Sequence, residues 1–345
     1  MLLPDPAAQA PLARPPLSPS LAPSPAPSQP HSSSRQGELF IIANPGSGEH
    51  DSRETRQLLA RVFAEAGRAF RFVPVDRPQM LESACERAAA EAAAAGGVLV
   101  AAGGDGTINA VAGAAWRKGC RLGVLPMGTF NYFGRSHGIP QDLAAAARAL
   151  LDADVQAVQV GEVNGQLFLV NASLGLYPQL LQDREAFKHR FGRHRWVAVL
   201  SGLVTVFAWR RQLVLELEAN GQRTLITTPT LFVGNNRLQL ESIGIGQEVL
   251  HGLGNGDLVA VVARPIGSWQ MLGLLLRGAF GRLGDADQVH SFAFSAMTVR
   301  VSGRRKVKFA ADGEVRVLTP PLRFAVGGAP LQLMLPRAED RVAVE

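Results

Sequence analysis

The sequence predicts an α/β domain with a parallel sheet, followed by an antiparallel β-rich domain. In residues 37–157 short apolar runs alternate with helical stretches, a pattern typical of a parallel sheet covered on both faces. From about residue 158 onward strand-like segments dominate. The chain has 345 residues, 47% of them hydrophobic, which is enough for two cores.

The first 36 residues predict a disordered tail. Ten of the 22 prolines lie there, and alanine and serine fill most of the rest. Such a composition buries too little apolar surface to offset the entropy lost on ordering. The start of the chain lacks a basic region followed by an apolar run, so we do not expect a signal peptide.

The α/β domain, residues 37–157, predicts four strands that each lead into a loop and a helix. Each strand is a short apolar run, and each helix carries apolar residues at helical spacing. The strands are expected near 38–43, 68–75, 97–103 and 121–126, and the helices over 51–66, 79–95, 108–116 and 142–151.

The second domain, residues 158–319, predicts an antiparallel β-structure. Its candidate strands include QLFLVNASLG, QLVLELEA, DLVAVVARP and KVKFAADGE, and two helical stretches interrupt them at 181–209 and 267–280. The segment at about 320–336 is a candidate to return to the first domain. Residues 337–345 are expected to be a tail.

The motif GGDGT at residues 103–107 is the central functional signal. It follows an apolar strand and opens a helix, the position where parallel sheets bind ligands. Glycines let the backbone approach phosphate oxygens, and the helix N-terminus supplies N–H donors. Asp105 would face a negatively charged ligand, so we expect it to organise Mg²⁺ through water. A turn of this composition also occurs without a ligand.

Two further loops follow the first and fourth strands, NPGSG at residues 44–48 and MGTFN at 127–131. Ser47, Thr107, Thr129 and Asn131 supply hydroxyl and amide groups, and together the three loops predict a crevice that binds phosphate. The sequence contains neither the Walker phosphate loop G-x-x-x-x-G-K-[ST] nor G-x-G-x-x-G after the first strand.

These motifs resemble the bacterial diacylglycerol kinase and sphingosine kinase-like lipid kinases. The resemblance runs from NPGSG through AAGGDGTINAVAGAA, LPMGTFNYFGRSHGIP and VGNN to FAADGE and PLRFAV. It implies an NAD kinase-like nucleotide domain followed by a β-sandwich lipid domain. It also implies an ATP-dependent lipid kinase that uses Mg²⁺ and acts in lipid metabolism and phospholipid biosynthesis.

Residue by residue, the resemblance assigns three groups of site residues. Glu314 matches the family's proton acceptor, with Asp312 beside it, and the pair would share one face if the segment stays extended. Asp105 is the third catalytic candidate. The nucleotide-binding positions are Asn44, Pro45, Gly46, Ser47, Gly48, Gly103, Gly104, Asp105, Gly106, Thr107, Ile108, Asn109 and Thr129.

Two positions depart from the family pattern. Tyr132 stands where an acidic residue usually follows the GT-x-N motif, and Asn255 stands where many members have an aspartate that helps hold a structural Mg²⁺. A neutral amide is a poorer ligand for a hard cation than a carboxylate. We therefore expect a weakened structural metal site at Asn255.

The segment REAFKHRFGRHRW at 184–196 suggests contact with a membrane. It carries five lysines and arginines and precedes a 14-residue apolar run at 196–209, shorter than the about 20 residues of a spanning helix. A solvated basic helix followed by a core helix is the alternative. The net charge of +6 also suits a polyanionic partner.

The sequence leaves partner and location partly open. We expect a lipid substrate, a cytoplasmic protein peripheral at the inner face of the membrane, two buried free thiols at Cys85 and Cys120, and no nucleic-acid partner. A homodimer is compatible with the sequence but not required by it. The competing functions are a soluble kinase of the NAD kinase type and a catalytically weak regulator that binds nucleotide or lipid.

Overall fold

The computed structural model describes residues 37–43, 52–75, 77–175, 212–264 and 289–343. Several predictions lie outside these ranges. They are the disordered tail at 1–36, the NPGSG loop at 44–48, the helical stretches at 181–209 and 267–280, and the basic segment at 184–196.

The first sheet has six strands, and its order places the last strand of the chain inside it. The order is β2-β1-β3-β4-β18-β5, with the first five strands parallel and β5 antiparallel to β18. The strands are β1 (Leu39–Ala43), β2 (Phe70–Val73), β3 (Val98–Gly103), β4 (Arg121–Pro126), β5 (Asp154–Val158) and β18 (Leu331–Leu335). The C-terminal strand therefore joins the sheet formed by the N-terminal half of the chain.

Within the described ranges, five α-helices belong to this part of the fold. They are α1 (Ser52–Glu65), α2 (Leu81–Ala94), α3 (Asp105–Lys118), α4 (Tyr132–Ser136) and α5 (Leu143–Leu151). α1 packs beside α5 and α2 beside α3, and the strands β1, β3, β4 and β18 are almost completely buried. Cys85 and Cys120 are buried free thiols in this core, as predicted, and burial raises the pKa of Cys85 to about 12 and of Cys120 to about 11.

Two antiparallel six-stranded sheets form the second part and pack on one shared core, which confirms the predicted β-sandwich. The sheet orders are β10-β9-β14-β17-β6-β7 and β13-β12-β11-β8-β15-β16. The strands are β6 (Gly161–Val163), β7 (Gln166–Phe168), β8 (Asn171–Gly175), β9 (Leu213–Ala219), β10 (Gln222–Thr228), β11 (Thr230–Gly234), β12 (Leu258–Ala263), β13 (Val289–Phe294), β14 (Ala296–Val301), β15 (Val307–Ala311), β16 (Glu314–Leu318) and β17 (Leu322–Val326).

Short helices connect the strands near the first domain and at the chain end. α6 (Arg237–Ser242) is capped by Asn236, whose side chain accepts a hydrogen bond from the backbone N–H of Gln239, and α7 (Gln247–Leu250) follows. A 3-10 turn spans Ala338–Asp340, and the N–H of Val342 donates to the carbonyl of Gly138. The predicted C-terminal tail thus contacts the first domain at least as far as Val342.

Candidate functional site

The GGDG loop lies at the carboxyl end of β3, where it begins the 14-residue helix α3. Gly104 is the extended N-cap, and the helix starts at Asp105. The helix was expected from Ile108, but it begins three residues earlier because the extended Gly104 already turns the chain into it. The first-turn N–H groups therefore point out of the sheet edge, where an anion can bind.

The MGT loop packs directly against the GGDG loop. The N–H of Met127 donates to the carbonyl of Gly103 at 2.9 Å. A Cβ atom at Gly128 would lie only 2.8 Å from the Cα of Gly104, so the two backbones touch where a side chain could not fit. Glycine at this position is what lets the two strand-end loops meet.

Asn131 fixes this arrangement through a left-handed backbone (φ 48°). Its side-chain oxygen accepts from the N–H of Gly128 at 2.9 Å, and its amide nitrogen donates to the carbonyl of Gly128 and to Gln141, both at 2.9 Å. The Asn131 N–H donates to Oδ2 of Asp105 at 3.2 Å. One residue thus ties the MGT loop to the carboxylate of the GGDG loop.

The Asp105 carboxylate is largely buried, and one of its oxygens has no partner among the described residues. Burial raises its pKa, while the N–H groups of Asn131 and Tyr132 act in the opposite direction. Its Oδ1 atom is buried and accepts no hydrogen bond from any described residue. A buried oxygen of this kind fits a cation, a water bound to a cation or a ligand hydroxyl.

A cavity of about 560 Å³ extends from the MGT loop toward α1 and α5. The predicted Thr129 lines it, together with Arg135 from the same motif and with Thr55 and Gln141, which lie outside the quoted motifs. The hydroxyl of Thr55 is buried and has no partner among the described residues. The volume is in the range of small-molecule sites.

The DGE motif forms a tight turn between β15 and β16, and this corrects the predicted pairing of its carboxylates. Asp312 (φ 46°) and Gly313 (φ 86°) both have left-handed backbones, and Ala311 pairs with Glu314 across the hairpin. The segment is not extended, because an Asp-Gly pair favours a two-residue turn. The side chains of Asp312 and Glu314 therefore have different surroundings.

Asp312 is buried and accepts four hydrogen bonds. The backbone N–H groups of residues 169–171 donate to it at 2.6–2.9 Å, and the amide of Asn109 on α3 is the fourth donor. Burial raises its pKa to about 6, and the four donors oppose that rise. Burial, rather than a neighbouring carboxylate, is thus the cause of the raised pKa of Asp312.

Glu314 is half-buried beside the first turn of α3. A Cβ atom at Gly106 would lie 3.4 Å from its Oε1, and its Oε2 accepts a hydrogen bond from Arg316 at 2.9 Å. Asn109 and Asp312 link α3 to the same turn. The structure therefore brings the predicted GGDG loop, MGT loop and DGE turn together.

Asn255 lies on a separate exposed loop after α7. Its N–H donates to the carbonyl of Gly252, while Gln159 accepts from Gly256 and donates to Asn235 of the VGNN motif. Within the described ranges, no three His, Cys, Asp or Glu side chains come together as a metal-binding group. The weakened metal site at Asn255 stays a prediction.

Comparison with known proteins confirms the resemblance drawn from the motifs. Residues 38–163 match the family model of the diacylglycerol kinase catalytic domain. A probable lipid kinase YegS-like from Klebsiella pneumoniae is 34% identical over 154 residues, which cover 41% of this chain and 46% of that protein. A diacylglycerol kinase from Bacillus subtilis is 34% identical over 147 residues, covering 41% of this chain and 47% of the relative.

The sequence comparison and the structural comparison differ in how much of the chain they cover. In sequence, the chain spans about half the length of these two curated relatives. In structure, a diacylglycerol kinase from Bacillus anthracis matches 88% of this chain and 98% of its own with a TM-score of 0.63 at 18% identity. The structural likeness establishes a common fold that extends through the β-sandwich.

Proposed function

We propose that this chain is an ATP-dependent lipid kinase that transfers the γ-phosphate to the hydroxyl of a diacylglycerol-like or related lipid alcohol. One observation carries the proposal above the others. A carboxylate, Glu314, lies beside the first turn of a helix whose N-terminus opens on a glycine loop. Phosphoryl transfer needs a phosphate-binding backbone and a proton acceptor near each other.

The nucleotide phosphates would bind at the N-terminus of α3. Backbone N–H groups of the GGDG loop point there, and the helix dipole favours negative charge. The contact between Gly104 and Gly128 adds the MGT loop to the same crevice, and Thr129 lines the adjoining cavity. Asn44, Pro45, Gly46, Ser47 and Gly48 are proposed for the first phosphate-side loop from the motif alone.

The residues present fit a nucleotide-bound Mg²⁺. Asp105 offers a buried carboxylate oxygen that has no partner among the described residues, and oxygen is the ligand that Mg²⁺ prefers. When bound, Mg²⁺ neutralises charge on the phosphate oxygens. Asp105 itself holds its orientation through the N–H groups of Asn131 and Tyr132.

Glu314 is the proposed proton acceptor, and Asp312 is proposed to position it. The Oε2 atom of Glu314 is held by Arg316, which leaves Oε1 facing the first turn of α3 to take the hydroxyl proton. Among the described residues, the Asp312 carboxylate accepts hydrogen bonds only from the amide of Asn109 and the N–H groups of residues 169–171. Asp312 thus fixes the turn that carries Glu314 instead of touching substrate.

Because the proposed substrate is a lipid, we also propose that the chain associates peripherally with the cytoplasmic face of a membrane. None of the helices within the described residues has the length and apolar content to cross a bilayer. At one end of the sandwich, after β14 and beside the start of β9, Arg304, Arg305 and Lys306 form an exposed turn. These three cations have no interaction partner among the described residues, which suits an anionic surface.

Two departures from the family pattern, Tyr132 and Asn255, favour the alternative of a catalytically weak regulator, and the geometry weakens the first. Tyr132 replaces an acidic residue of the family pattern, but it is the Tyr132 backbone N–H that supports Asp105. Its ring stacks on Phe130 at 5.9 Å between centroids, away from that contact. The replacement therefore leaves the support of Asp105 intact.

A substrate panel tests the function. The full chain is incubated with γ-labelled ATP and Mg²⁺, together with short-chain diacylglycerol, a mixture of lipid alcohols or NAD. We expect label in the lipid fraction, identified by mass spectrometry as a phosphorylated lipid. Label in NAD instead would favour the soluble kinase, and label in neither would favour the regulator.

A further inference from the structure

Glu82, in the first turn of α2, shares an arginine with the proposed proton acceptor. Glu314 and Arg316 lie two positions apart on β16, so their side chains share one face of the strand. The Nη2 atom of Arg316 donates to Oε2 of Glu314 at 2.9 Å and lies 3.6 Å from Oε1 of Glu82. One guanidinium nitrogen therefore lies between two carboxylates that belong to different parts of the fold.

The surroundings of Arg316 leave its charge to these two carboxylates. Among the described residues, Glu314 and Glu82 are the carboxylates within 4 Å of its guanidinium. Arg316 and Glu82 line a cavity of about 280 Å³ between α2, α3, β7 and β16. The other two charged side chains of that cavity, Arg117 and Glu86, are bonded to each other, with Nε of Arg117 2.8 Å from Glu86.

Proton transfer changes the balance between the two carboxylates. The O–H bond of the lipid acceptor breaks, and an O–H bond forms on Oε1 of Glu314. The electron pair left on the acceptor oxygen bonds to the γ-phosphorus, while the bond from that phosphorus to ADP breaks. Glu314 is then neutral, so the charge attraction that held Arg316 is lost. Glu82 is the carboxylate that still attracts the guanidinium.

A small movement of Arg316 is enough to change its partner. The two distances from Nη2 differ by about 0.7 Å, so a shift of that size toward α2 brings Glu82 within hydrogen-bond distance. The cavity beside the guanidinium has room for several waters of about 30 Å³ each, so the shift does not need to displace packed side chains.

We propose that Glu82 is a positioning residue of the kinase reaction, which keeps Arg316 paired when Glu314 carries the proton. Before transfer, Arg316 orients Glu314 through Oε2. During transfer, the charge of Glu82 offsets part of the attraction that is lost between Arg316 and Glu314. Glu82 lines a different cavity from the MGT loop, so it affects kcat and not the binding of substrates. This inference rests on the proposed lipid kinase function.

A charge series at position 82 tests the proposal. Glu82→Gln makes the side chain neutral, and Glu82→Lys makes it positive. The side chain of Glu82 is 78% exposed, so its effect should be that of a surface ion pair. With ATP and a soluble short-chain diacylglycerol, kcat should fall about threefold for Glu82→Gln and about tenfold for Glu82→Lys, with both KM values unchanged. At 1 M salt, where exposed charges are screened, both losses should shrink to less than about twofold.

The same substitutions in an Arg316→Gln background separate this role from a structural one. If Glu82 acts through Arg316, kcat in that background should stay within about twofold whichever of the three side chains occupies position 82. A carboxylate in the first turn also stabilises α2 through the helix dipole, so the melting temperature should fall equally in both backgrounds. Glu91→Gln and Glu91→Lys remove an exposed carboxylate that pairs with Arg71 on the same helix, and these matched controls should keep the wild-type kcat.

The possible results distinguish the two proposals. A kcat that does not follow the charge at position 82 would overturn the role of Glu82 and leave the kinase standing. Losses that persist undiminished at 1 M salt, or in the Arg316→Gln background, would overturn it as well. Transfer to no lipid at all by the wild type would overturn both proposals.

Discussion

The contact between the two glycine loops gives a sharp prediction for Gly128→Ala. The φ angle of Gly128 lies outside the left-handed region, so its backbone accepts alanine without strain. The added methyl would nevertheless lie 2.8 Å from the Cα of Gly104 and 2.7 Å from Oδ1 of Asn131. Both neighbours are held in place, Gly104 by the start of α3 and Asn131 by four hydrogen bonds.

The size of the effect follows from these distances. Carbon atoms in contact normally lie about 3.5–4.0 Å apart, so the loops must separate by about 0.7 Å or more. Overpacking of this kind costs about 1–3 kcal/mol of stability. Displacing the phosphate-binding backbone by nearly 1 Å should lower kcat/KM for ATP by about 100-fold.

The assay is steady-state phosphotransfer with ATP varied, together with thermal unfolding with and without nucleotide. Gly134→Ala is the matched control, because the nearest atom to its new methyl is 3.7 Å away and the residue is in helix α4. That variant should keep wild-type kinetics and hold or gain stability. Wild-type affinity for ATP in Gly128→Ala, within twofold, would refute the assignment of this contact to the phosphate site.

Three other predictions concern the charged groups. Asp105→Asn should have the melting temperature of the wild type, because the side-chain oxygen of asparagine can still accept the hydrogen bond from the Asn131 N–H. Its turnover, measured by steady-state phosphotransfer, should fall at least about 100-fold, because the charge that organises Mg²⁺ is lost. Asn255→Asp should raise the melting temperature in Mg²⁺ but not in EDTA, and a wild type already stabilised by Mg²⁺ to the same extent would contradict the weakened site. Replacing the three exposed cations Arg304, Arg305 and Lys306 by glutamine should weaken binding to anionic vesicles, measured by co-sedimentation, up to about 100-fold, at about 1 kcal/mol per charge. Removing three positive charges at other exposed positions should leave vesicle binding unchanged. The two triple variants are Arg304→Gln, Arg305→Gln, Lys306→Gln and, as control, Arg61→Gln, Lys118→Gln, Arg148→Gln, all exposed positions.

The sequence predicted the first domain well because its signals are local. An apolar run followed by glycine marks the end of β3, and the same pattern marks the end of β4. Parallel strands end at one edge of a sheet, so loops that are distant in sequence were expected to meet there. The sequence alone was therefore enough to predict that the GGDG loop and the MGT loop lie close together.

The rest of the site depends on contacts between distant parts of the chain. Asp312 is bonded by residues 169–171 and by Asn109, more than 140 and 200 positions away, and no local pattern indicates such partners. Thr55 lines the larger cavity only because α1 packs beside α5. The paired carboxylates were predicted from spacing, and the left-handed turn at Asp312 and Gly313 overrode that spacing.

The central claim is that Glu314 accepts the proton of a lipid hydroxyl beside a nucleotide held on α3. The most direct measurement compares transfer of labelled γ-phosphate to short-chain lipid alcohol by the wild type and by Glu314→Gln, with ATP binding followed in parallel by calorimetry. Glutamine keeps the size and the contact with Arg316 but cannot take a proton at neutral pH. The account predicts that kcat falls about 100-fold or more with the Kd of ATP unchanged. Undiminished transfer by Glu314→Gln would contradict it.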